Sequence, residues 1–198
     1  MPVNEIRNGV PLVLASASPR RRELLTSAGV AVEVVPAEID ESELPGEPPS
    51  ELVLRLASEK CRRVAARYPD RWVLAADTTV AIDGVSLGKP RDSEEVMQML
   101  TRLSGRVHQV ITGMMLKNGA RSIEERERST TEVTMAVLTP SEIDWYARTG
   151  EPFDKAGGYG IQGQAAQFVR EVRGSYSNVV GLDLAWIVGR LRFHRFIS

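Results

Sequence analysis

The stretch Leu12-Val-Leu-Ala-Ser-Ala-Ser-Pro-Arg-Arg-Arg-Glu-Leu-Leu25 predicts a strand, a tight turn and a helix in immediate succession. Leu12 to Ala15 is a short apolar run typical of a buried strand. Ser18 is a good N-cap, and Pro19 suits the first helical position because its missing N–H would be unpaired there. Gly29 supplies the signal that ends the helix.

Three consecutive arginines, Arg20, Arg21 and Arg22, crowd the first turn of this predicted helix. The positive end of the helix macrodipole favours acids and anions at that place, so three cations there break a local rule. Free backbone N–H groups, the hydroxyls of Ser16 and Ser18 and the guanidinium forks together describe a phosphate site. The alternative is a surface helix with exposed arginines, and the misplaced charges favour the anion site.

The composition excludes several classes of protein. The chain has 198 residues, 42% of them hydrophobic, which is enough for one well-buried core. Its formal net charge of -1 gives no general attraction to nucleic acid or anionic membranes. The single cysteine, Cys61, and two histidines provide no zinc cluster. With no membrane-length apolar run and no signal-peptide pattern, we expect one cytoplasmic domain over residues 1–198.

Acidic residues and a lysine occupy unusual positions after the first helix. Asp40 and Glu41 follow the second predicted strand, and they either form a solvated acidic loop or coordinate Mg²⁺ or Mn²⁺ together with phosphate oxygens. Ser50 is predicted to cap the next helix. Lys60 lies within the apolar stripe of that helix, where it either extends its ammonium to water or meets an anion.

The run Trp72-Val-Leu-Ala-Ala-Asp-Thr-Thr-Val-Ala-Ile82 is the most strand-like in the chain, and Asp77 lies in its middle. An ionised carboxylate in so apolar a run is costly unless a cation or hydrogen-bond donors compensate it. Its neighbours on the same face are small, which leaves room for a ligand. A structural hydrogen bond is the alternative, but an apolar, roomy and acidic position favours catalysis or metal binding.

Several later features are read from turn and cap signals. Asp92 with Glu95 and Thr139 with Glu142 are predicted capping boxes. Asn118-Gly119 predicts a hairpin turn, with a returning strand over residues 129–138. Residues 165–172 are predicted to form another strand, and residues 174–178 a turn. His108 stands alone in a strand, where a structural hydrogen bond is favoured over metal binding. Lys89 and Arg91 lie in a rigid loop, and Gln162 lies in a glycine-rich segment with an amide suited to reading a base edge.

These motifs together resemble the Maf family of nucleoside triphosphate pyrophosphatases over residues 12–192. The resemblance is carried by Ala15-Ser-x-Ser-Pro-Arg-Arg21, Ile39-Asp-Glu41, Glu59-Lys60, Ala76-Asp-Thr78, Lys89-Pro90, Leu103-Ser-Gly105 with His108, and Asp154-Lys-Ala-Gly-x-Tyr-Gly-Ile-Gln162. The arginine pair, Thr78 and the Gly-Ile-Gln segment resemble the branch acting on dTTP and UTP more than the branch acting on 7-methyl-GTP. At Leu182-Asp-Leu184 the family usually has proline in the middle, which leaves that turn undecided.

The resemblance implies an α/β fold similar to the inosine triphosphatases, with a mixed twisted sheet, flanking helices and two lobes around a central cleft. It implies hydrolysis between the α and β phosphates with a divalent cation, Mg²⁺ or Mn²⁺, and a house-cleaning role. By matching position, Asp77 is the proton acceptor, and Glu41 and Asp77 are the metal residues. The remaining expected cleft residues are Ser16, Ser18, Arg21, Lys60 and Lys89, and those associated with substrate choice are Arg20, Thr78 and Gln162.

Two other functions compete with an enzyme. A non-catalytic nucleotide-sensing regulator of septum formation needs the basic residues but not Asp77. A nucleic-acid-binding protein is disfavoured by the near-neutral charge and the lack of an aromatic stacking surface. We therefore expect a nucleoside triphosphate as the partner, no membrane, no stable nucleic-acid complex and, by similarity alone, a homodimer.

Overall fold

The computed structural model describes Asn4, Ile6, Arg7 and residues 9–198. The strands are β1 (Leu12–Leu14), β2 (Val32–Val34), β3 (Trp72–Ile82), β4 (Val85–Leu87), β5 (Val107–Asn118), β6 (Ile123–Met135) and β7 (Val169–Arg173). The helices are α1 (Pro19–Ser27), α2 (Pro49–Ala65), α3 (Ser93–Leu103), α4 (Pro140–Ala147), α5 (Tyr176–Val180) and α6 (Leu184–Phe193). Short 3-10 turns cover Glu151–Asp154, Ala156–Gly158 and Gln164–Phe168.

The strands form one mixed sheet of seven strands in the order β2-β1-β3-β5-β6-β7, with β4 paired to β3. The β2-β1-β3 part is parallel, and the remaining pairings are antiparallel. Parallel neighbours need a crossover, and α1 and α2 provide the crossovers from β1 to β2 and from β2 to β3. The sheet and its flanking helices confirm the predicted mixed α/β class.

Helices cover both faces of the sheet. On one face, α2 packs Cys61, Val64 and Ala65 against β1, β3 and β5. The opposite face carries two separate core clusters. The first joins α1 and α6 to β1 and the start of β3 through residues such as Leu25 and Leu191. The second joins α3 and α4 to the end of β3 and to β6. The elements around the first cluster and those around the second are the two lobes of the molecule.

The long central strand β3 connects these two clusters, and one of its edges is open between them. Pairing with β1 ends at Leu74, and pairing with β4 begins at Val80. The opposite edge stays paired to β5 from Trp72 to Ala81. Because neighbouring side chains alternate between faces, residues 77 to 80 can reach the gap from both sides of the sheet.

Several sequence predictions agree with the structure. The strand Trp72–Ile82 has the predicted bounds. Thr139 and Glu142 form a complete capping box, and burial with a hydrogen bond to Tyr159 Oη gives His108 its structural role. The undecided turn at Leu182-Asp-Leu184 is a helix start, since Asp183 accepts hydrogen bonds from the backbone of Ala185 and Trp186.

Predictions of helix caps were partly wrong. Ser18 and Asp92 are N-caps, but the Ser18 side chain makes no cap hydrogen bond. Pro48 rather than Ser50 is the N-cap of α2. Glu95 does not complete a capping box with Asp92, because its carboxylate accepts hydrogen bonds from Arg91 instead.

Predictions for the later strands and turns also need correction. The hairpin turn predicted at Asn118-Gly119 is confirmed, but β5 runs to Asn118 and the connection covers residues 119–122. The returning strand therefore begins at Ile123. Residues 164–168, of which 165–168 were predicted as strand, form a 3-10 turn before β7. Residues 176–178, predicted as part of a turn, belong to α5, which has Ser175 as its N-cap. In the described part of the chain, no helix is long and apolar enough to cross a membrane.

Candidate active site

A cleft of about 520 Å³ opens at the gap beside β3. Its walls include every residue proposed for the site from sequence, namely Ser16, Ser18, Arg20, Arg21, Glu41, Lys60, Asp77, Thr78, Lys89 and Gln162. These residues come from α1, α2, β3 and four loops, so the fold brings together positions up to 146 apart in sequence. Grouping of this set around one cavity identifies the cleft as the candidate active site.

The turn between β1 and α1 presents Arg21 at the base of the cleft. This arginine is buried, and its Nε donates to the Gly181 carbonyl at 2.8 Å. Its Nη1 donates to Ser16 Oγ at 3.0 Å and its Nη2 to Thr78 Oγ1 at 2.9 Å. Among the described residues, no carboxylate forms an ion pair with it. Burial lowers the pKa of Arg21, while the negative charge of Asp77 opposes that shift.

A buried guanidinium with only neutral hydrogen-bond partners is a strong attraction for an anion. Ser16 Oγ accepts hydrogen bonds from Arg21 Nη1 and from the Ser18 backbone N–H at 3.2 Å. Both lone pairs of that oxygen are thereby used, and its own proton remains available to an acceptor. The turn can therefore offer donors to phosphate oxygens, as expected of an anion site at a helix start.

Lys60 connects the two carboxylates on the opposite wall. Its Nζ lies 2.6 Å from Asp77 Oδ1 and 2.8 Å from Glu41 Oε1. Lys60 is buried, and only 14% of the Asp77 side chain is exposed. The Lys60 ammonium therefore contacts anionic groups, as one of the two sequence interpretations predicted, and does not extend to water. Because the ammonium holds Oδ1, the second oxygen of Asp77 is left for another partner.

Arg20 joins the two lobes at the mouth of the cleft. Its Nη1 donates to Asp154 Oδ2 at 2.6 Å, and its Nη2 donates to the Asp154 carbonyl at 3.1 Å. Lys155 Nζ also donates to Asp154, at 2.6 Å. Burial raises the pKa of Asp154, but hydrogen bonds from Lys155 and Arg20 outweigh it and the net shift is downward.

The glycine-rich segment forms the far wall, with Gln162 exposed on it. Its base is closed by Glu151, whose carboxylate accepts from the Gln164 backbone N–H and from Tyr146 Oη, both at 2.8 Å. Gly163 packs against this carboxylate so closely that a Cβ there would lie 2.2 Å from Glu151 Oε1. Glu151 thus holds the segment that presents Gln162.

A model of the Maf family, described as Maf-like protein, matches residues 11–193. The chain belongs to the Maf family. A protein of Anaeromyxobacter dehalogenans (strain 2CP-C) named dTTP/UTP pyrophosphatase is 55% identical over 183 residues, which cover 91% of this chain and 92% of that protein. A protein of the same name from Myxococcus xanthus (strain DK1622) is 54% identical over 180 residues, covering 91% and 90%.

The Ham1 protein of Staphylococcus aureus has a similar solved structure. The TM-score is 0.52 at 13% sequence identity, and the match covers 93% of this Maf chain and all of that chain. At so low an identity the likeness concerns the fold alone. It confirms the inosine triphosphatase-like fold expected from the sequence.

Two acidic residues on the cleft wall of this Maf protein, Glu41 and Asp77, could hold a divalent cation together with substrate phosphates. Among the described residues, no three His, Cys, Asp or Glu side chains form a group that could hold a metal ion. Since Mg²⁺ is usually held by one or two carboxylates together with water and substrate phosphates, this pair suits such a cation.

Three residues considered from sequence lie outside the walls of the cleft. Asp40 is exposed, and its carboxylate accepts from the Ser42 backbone and hydroxyl in a local turn. Arg22 is exposed on α1, and the exposed Arg91 pairs with Glu95. Of Asp40 and Glu41, only Glu41 therefore lines the cleft.

Sequence reasoning missed several residues around the cleft of this Maf protein. Asp154 and Glu151 were not singled out, although both precede the glycine-rich segment. Thr112 and Asn178 are fully buried behind Thr78. Thr112 hydrogen-bonds to Thr78, and its hydroxyl also donates to the Asn178 backbone carbonyl. No local signal marks them, because a threonine in a strand is ordinary and Asn178 stood in a predicted turn.

Proposed function

We propose that this Maf protein is a nucleoside triphosphate pyrophosphatase that hydrolyses dTTP and UTP. The observation that carries the proposal is the arrangement of two charged groups across one cleft. The Asp77–Lys60–Glu41 cluster lies on one wall, and on the other lies the buried Arg21, which forms no ion pair with a carboxylate among the described residues. Its relatives from A. dehalogenans and M. xanthus bear the name dTTP/UTP pyrophosphatase at more than half identity. A house-cleaning role follows if modified pyrimidine triphosphates are also hydrolysed.

The triphosphate lies along the turn before α1. Arg21 and the free Ser16 proton face its phosphate oxygens, with the Ser18 turn, Lys60 and Lys89 lining the same path. Phosphoryl transfer needs little covalent chemistry from the protein, so positioning and charge stabilisation supply most of the catalysis. Arg20 binds the outer phosphates either after its ion pair with Asp154 breaks or while it keeps that ion pair.

Water attacks the α-phosphorus, and the bond from that phosphorus to the bridging oxygen of the β-phosphate breaks. The products are the nucleoside monophosphate and pyrophosphate. Asp77 accepts the proton that water loses, at the carboxylate oxygen not held by Lys60. The departing pyrophosphate carries the electron pair of the broken bond, and the nearby cations stabilise its charge.

Glu41 and Asp77 are the residues that would hold a divalent cation, Mg²⁺ or Mn²⁺. When bound, such a cation neutralises phosphate charge and lowers the pKa of attacking water. Lys60 already contacts both carboxylates, so it keeps them close before any cation arrives. We expect chelation of divalent cations to abolish hydrolysis, measured as pyrophosphate release with and without a chelator.

Substrate choice is assigned to Arg20, Thr78 and Gln162. The three lie on different walls of the cleft, and Gln162 has an amide with both a donor and an acceptor for a base edge. Activity confined to dTTP and UTP in a panel with CTP, ATP, GTP and 7-methyl-GTP is the expected result. Hydrolysis of 7-methyl-GTP instead would place the protein in the other branch of the family.

Replacement of the proton acceptor tests the mechanism. Asp77→Asn should lower turnover of dTTP by about 10²-fold or more with nucleotide binding largely retained. Asp40→Asn is a matched control, since it removes an aspartate charge from an exposed turn outside the cleft. Turnover of Asp77→Asn at the wild-type rate would reject the assigned role.

The same experiment separates the enzyme from a nucleotide sensor. A sensing regulator of septum formation binds triphosphates without hydrolysis, so wild type and Asp77→Asn would both bind dTTP and neither would release pyrophosphate. We further propose a cytoplasmic homodimer without stable nucleic-acid binding. Sedimentation checks the oligomer, and weak, salt-insensitive retention on DNA is the expected outcome for nucleic acid.

A further inference from the structure

A chain of buried hydroxyls runs from the cleft into the sheet. Thr78 on β3 and Thr112 on β5 are directly opposite each other in the antiparallel register, and their Oγ1 atoms are 2.9 Å apart. Thr112 is fully buried, whereas Thr78 is half-buried and lines the cleft. Behind them, the Thr112 hydroxyl donates to the Asn178 backbone carbonyl of α5 at 3.3 Å.

The Thr78–Thr112 hydrogen bond can have either oxygen as its donor. Each hydroxyl has one proton, so Thr112 accepts from Thr78 whenever it donates to the Asn178 carbonyl. The other acceptor in reach of Thr78 is the Gly181 carbonyl, at a limiting 3.5 Å and already bonded to Arg21 Nε at 2.8 Å. The Thr112 hydroxyl, at 2.9 Å, is therefore the better acceptor for the Thr78 proton.

Arg21 Nη2 occupies one lone pair of Thr78 Oγ1. With its proton directed to Thr112, Thr78 has one lone pair left and presents an acceptor to the cleft. Ser16, on the other side of the Arg21 guanidinium, has the opposite character, because both of its lone pairs are used and its proton is free. A phosphate oxygen, which only accepts, suits Ser16 and is repelled by Thr78.

We propose that Thr112 is a specificity-determining positioning residue, which makes Thr78 an acceptor that selects a hydrogen-bond donor on the nucleoside part of the substrate. This inference rests on the proposed function. Two donors have the required chemistry: the imide N3–H of thymine and uracil, which cytosine lacks, and the ribose 3′-hydroxyl. The 2′-hydroxyl is not a candidate, since dTTP lacks it.

The test compares kcat/KM for dTTP with that for dCTP, for N3-methyl-dTTP and for 2′,3′-dideoxythymidine triphosphate. In the wild type, analogues without the selected donor should be poorer by roughly tenfold or more, the size of one mispaired buried hydrogen bond. A penalty on the two base analogues assigns the imide, and a penalty on the dideoxy analogue assigns the sugar. No penalty on any of them overturns the proposal.

Thr112→Val then tests the hydrogen bond from the Thr78 hydroxyl to Thr112, which we call the hydroxyl relay. It keeps the shape of the side chain but removes the acceptor, so Thr78 can turn its proton into the cleft and the penalty should shrink by roughly tenfold. Thr112→Ser restores the hydroxyl and should restore the penalty. If Thr112→Val does not fold, Thr112→Ala serves in its place. A folded Thr112 variant without the hydroxyl that keeps the wild-type penalty overturns the proposal.

Thr131→Val is the matched control. Thr131 is equally buried on the next strand, where it hydrogen-bonds Asn178 Nδ2 and Ser175 but not Thr78. Its loss should lower the melting temperature without changing the penalty, and an equal change in both variants would show a merely structural effect and overturn the proposal. Wild-type hydrolysis of dTTP tests the proposed function separately, because the relay concerns only the ratio between substrates.

Discussion

At the scale of single residues, the partners of buried charges decide the chemistry of the cleft. Lys60 is buried between two carboxylates, whereas Arg21 is buried among a carbonyl and two hydroxyls. The first arrangement neutralises a cation and orients Asp77, and the second leaves a positive charge for a ligand. Two residues of similar charge thus acquire different roles from their surroundings.

His108 shows the same dependence on surroundings and makes stability sensitive to pH. Burial lowers the pKa of His108 to about 4, from an ordinary value of about 6.5. The unfolded chain therefore binds a proton at a pH where the folded protein does not. His108 therefore contributes roughly 3 kcal/mol to the free energy of unfolding. The contribution is fully present above pH 6.5 and is lost as the pH falls toward 4.

Urea unfolding of wild type and His108→Gln at pH 7 and pH 5 measures this effect. Glutamine does not titrate, and its amide can keep a hydrogen bond to Tyr159. The wild type should lose more unfolding free energy than the variant between the two pH values. An equal loss in both proteins would show that His108 is not the titrating group.

At the scale of elements, the position of Lys60 depends on how closely α2 approaches β5. A Cβ at Gly113 would lie 2.3 Å from the Val53 carbonyl oxygen, so only glycine allows the backbone contact. Gly113 is opposite Asp77 in the β3–β5 register. The same glycine therefore sets the distance between the helix that carries Lys60 and the strand that carries Asp77.

Gly113→Ala should lower the free energy of unfolding by about 3 kcal/mol, because the helix must move away from the sheet. Gly189→Ala is the matched control, since position 189 lies inside α6 and a Cβ there has no heavy atom within 4 Å. The control should gain about 0.5–1 kcal/mol from helix propensity. Chemical denaturation of both variants measures the difference, and a neutral Gly113→Ala would contradict the close packing.

At the scale of the whole molecule, two core clusters share one sheet. The strands β3 and β5 are 11 and 12 residues long and take part in both clusters. Neither lobe can unfold without losing strand pairing that supports the other. The cleft between the lobes is therefore built on a continuous floor rather than on a flexible linker.

Calorimetry should show a single unfolding transition with equal calorimetric and van't Hoff enthalpies. Leu100→Ala, in the cluster under α3, removes buried contacts and should lower the free energy of unfolding by roughly 2–5 kcal/mol. The melting temperature of that one transition should fall accordingly. Near-ultraviolet signals from both lobes should follow the same curve. Two separated transitions would show that the lobes unfold independently.

Local signals explain which parts of the fold were predictable. The apolar run of β3, the Thr139 capping box and the Pro19 helix start depend on neighbours in sequence, so pattern and propensity predict them. The start of β6 at Ile123 was missed because its charged residues hide the alternation. There, Glu124 pairs with Arg62 and Lys117, partners from other elements that no local pattern reveals.

The strand–turn–helix unit, the family and the proposed set of site residues were all inferred from the amino-acid sequence, because each depends on residue types in a fixed order. The hydrogen-bond partners of the site residues became known only once the chain was seen folded. Arg20 pairs with Asp154, 134 positions away, and Arg21 bonds to Gly181, 160 positions away. Such partners follow from packing between distant segments, because hydrogen-bond geometry exists only once those segments meet.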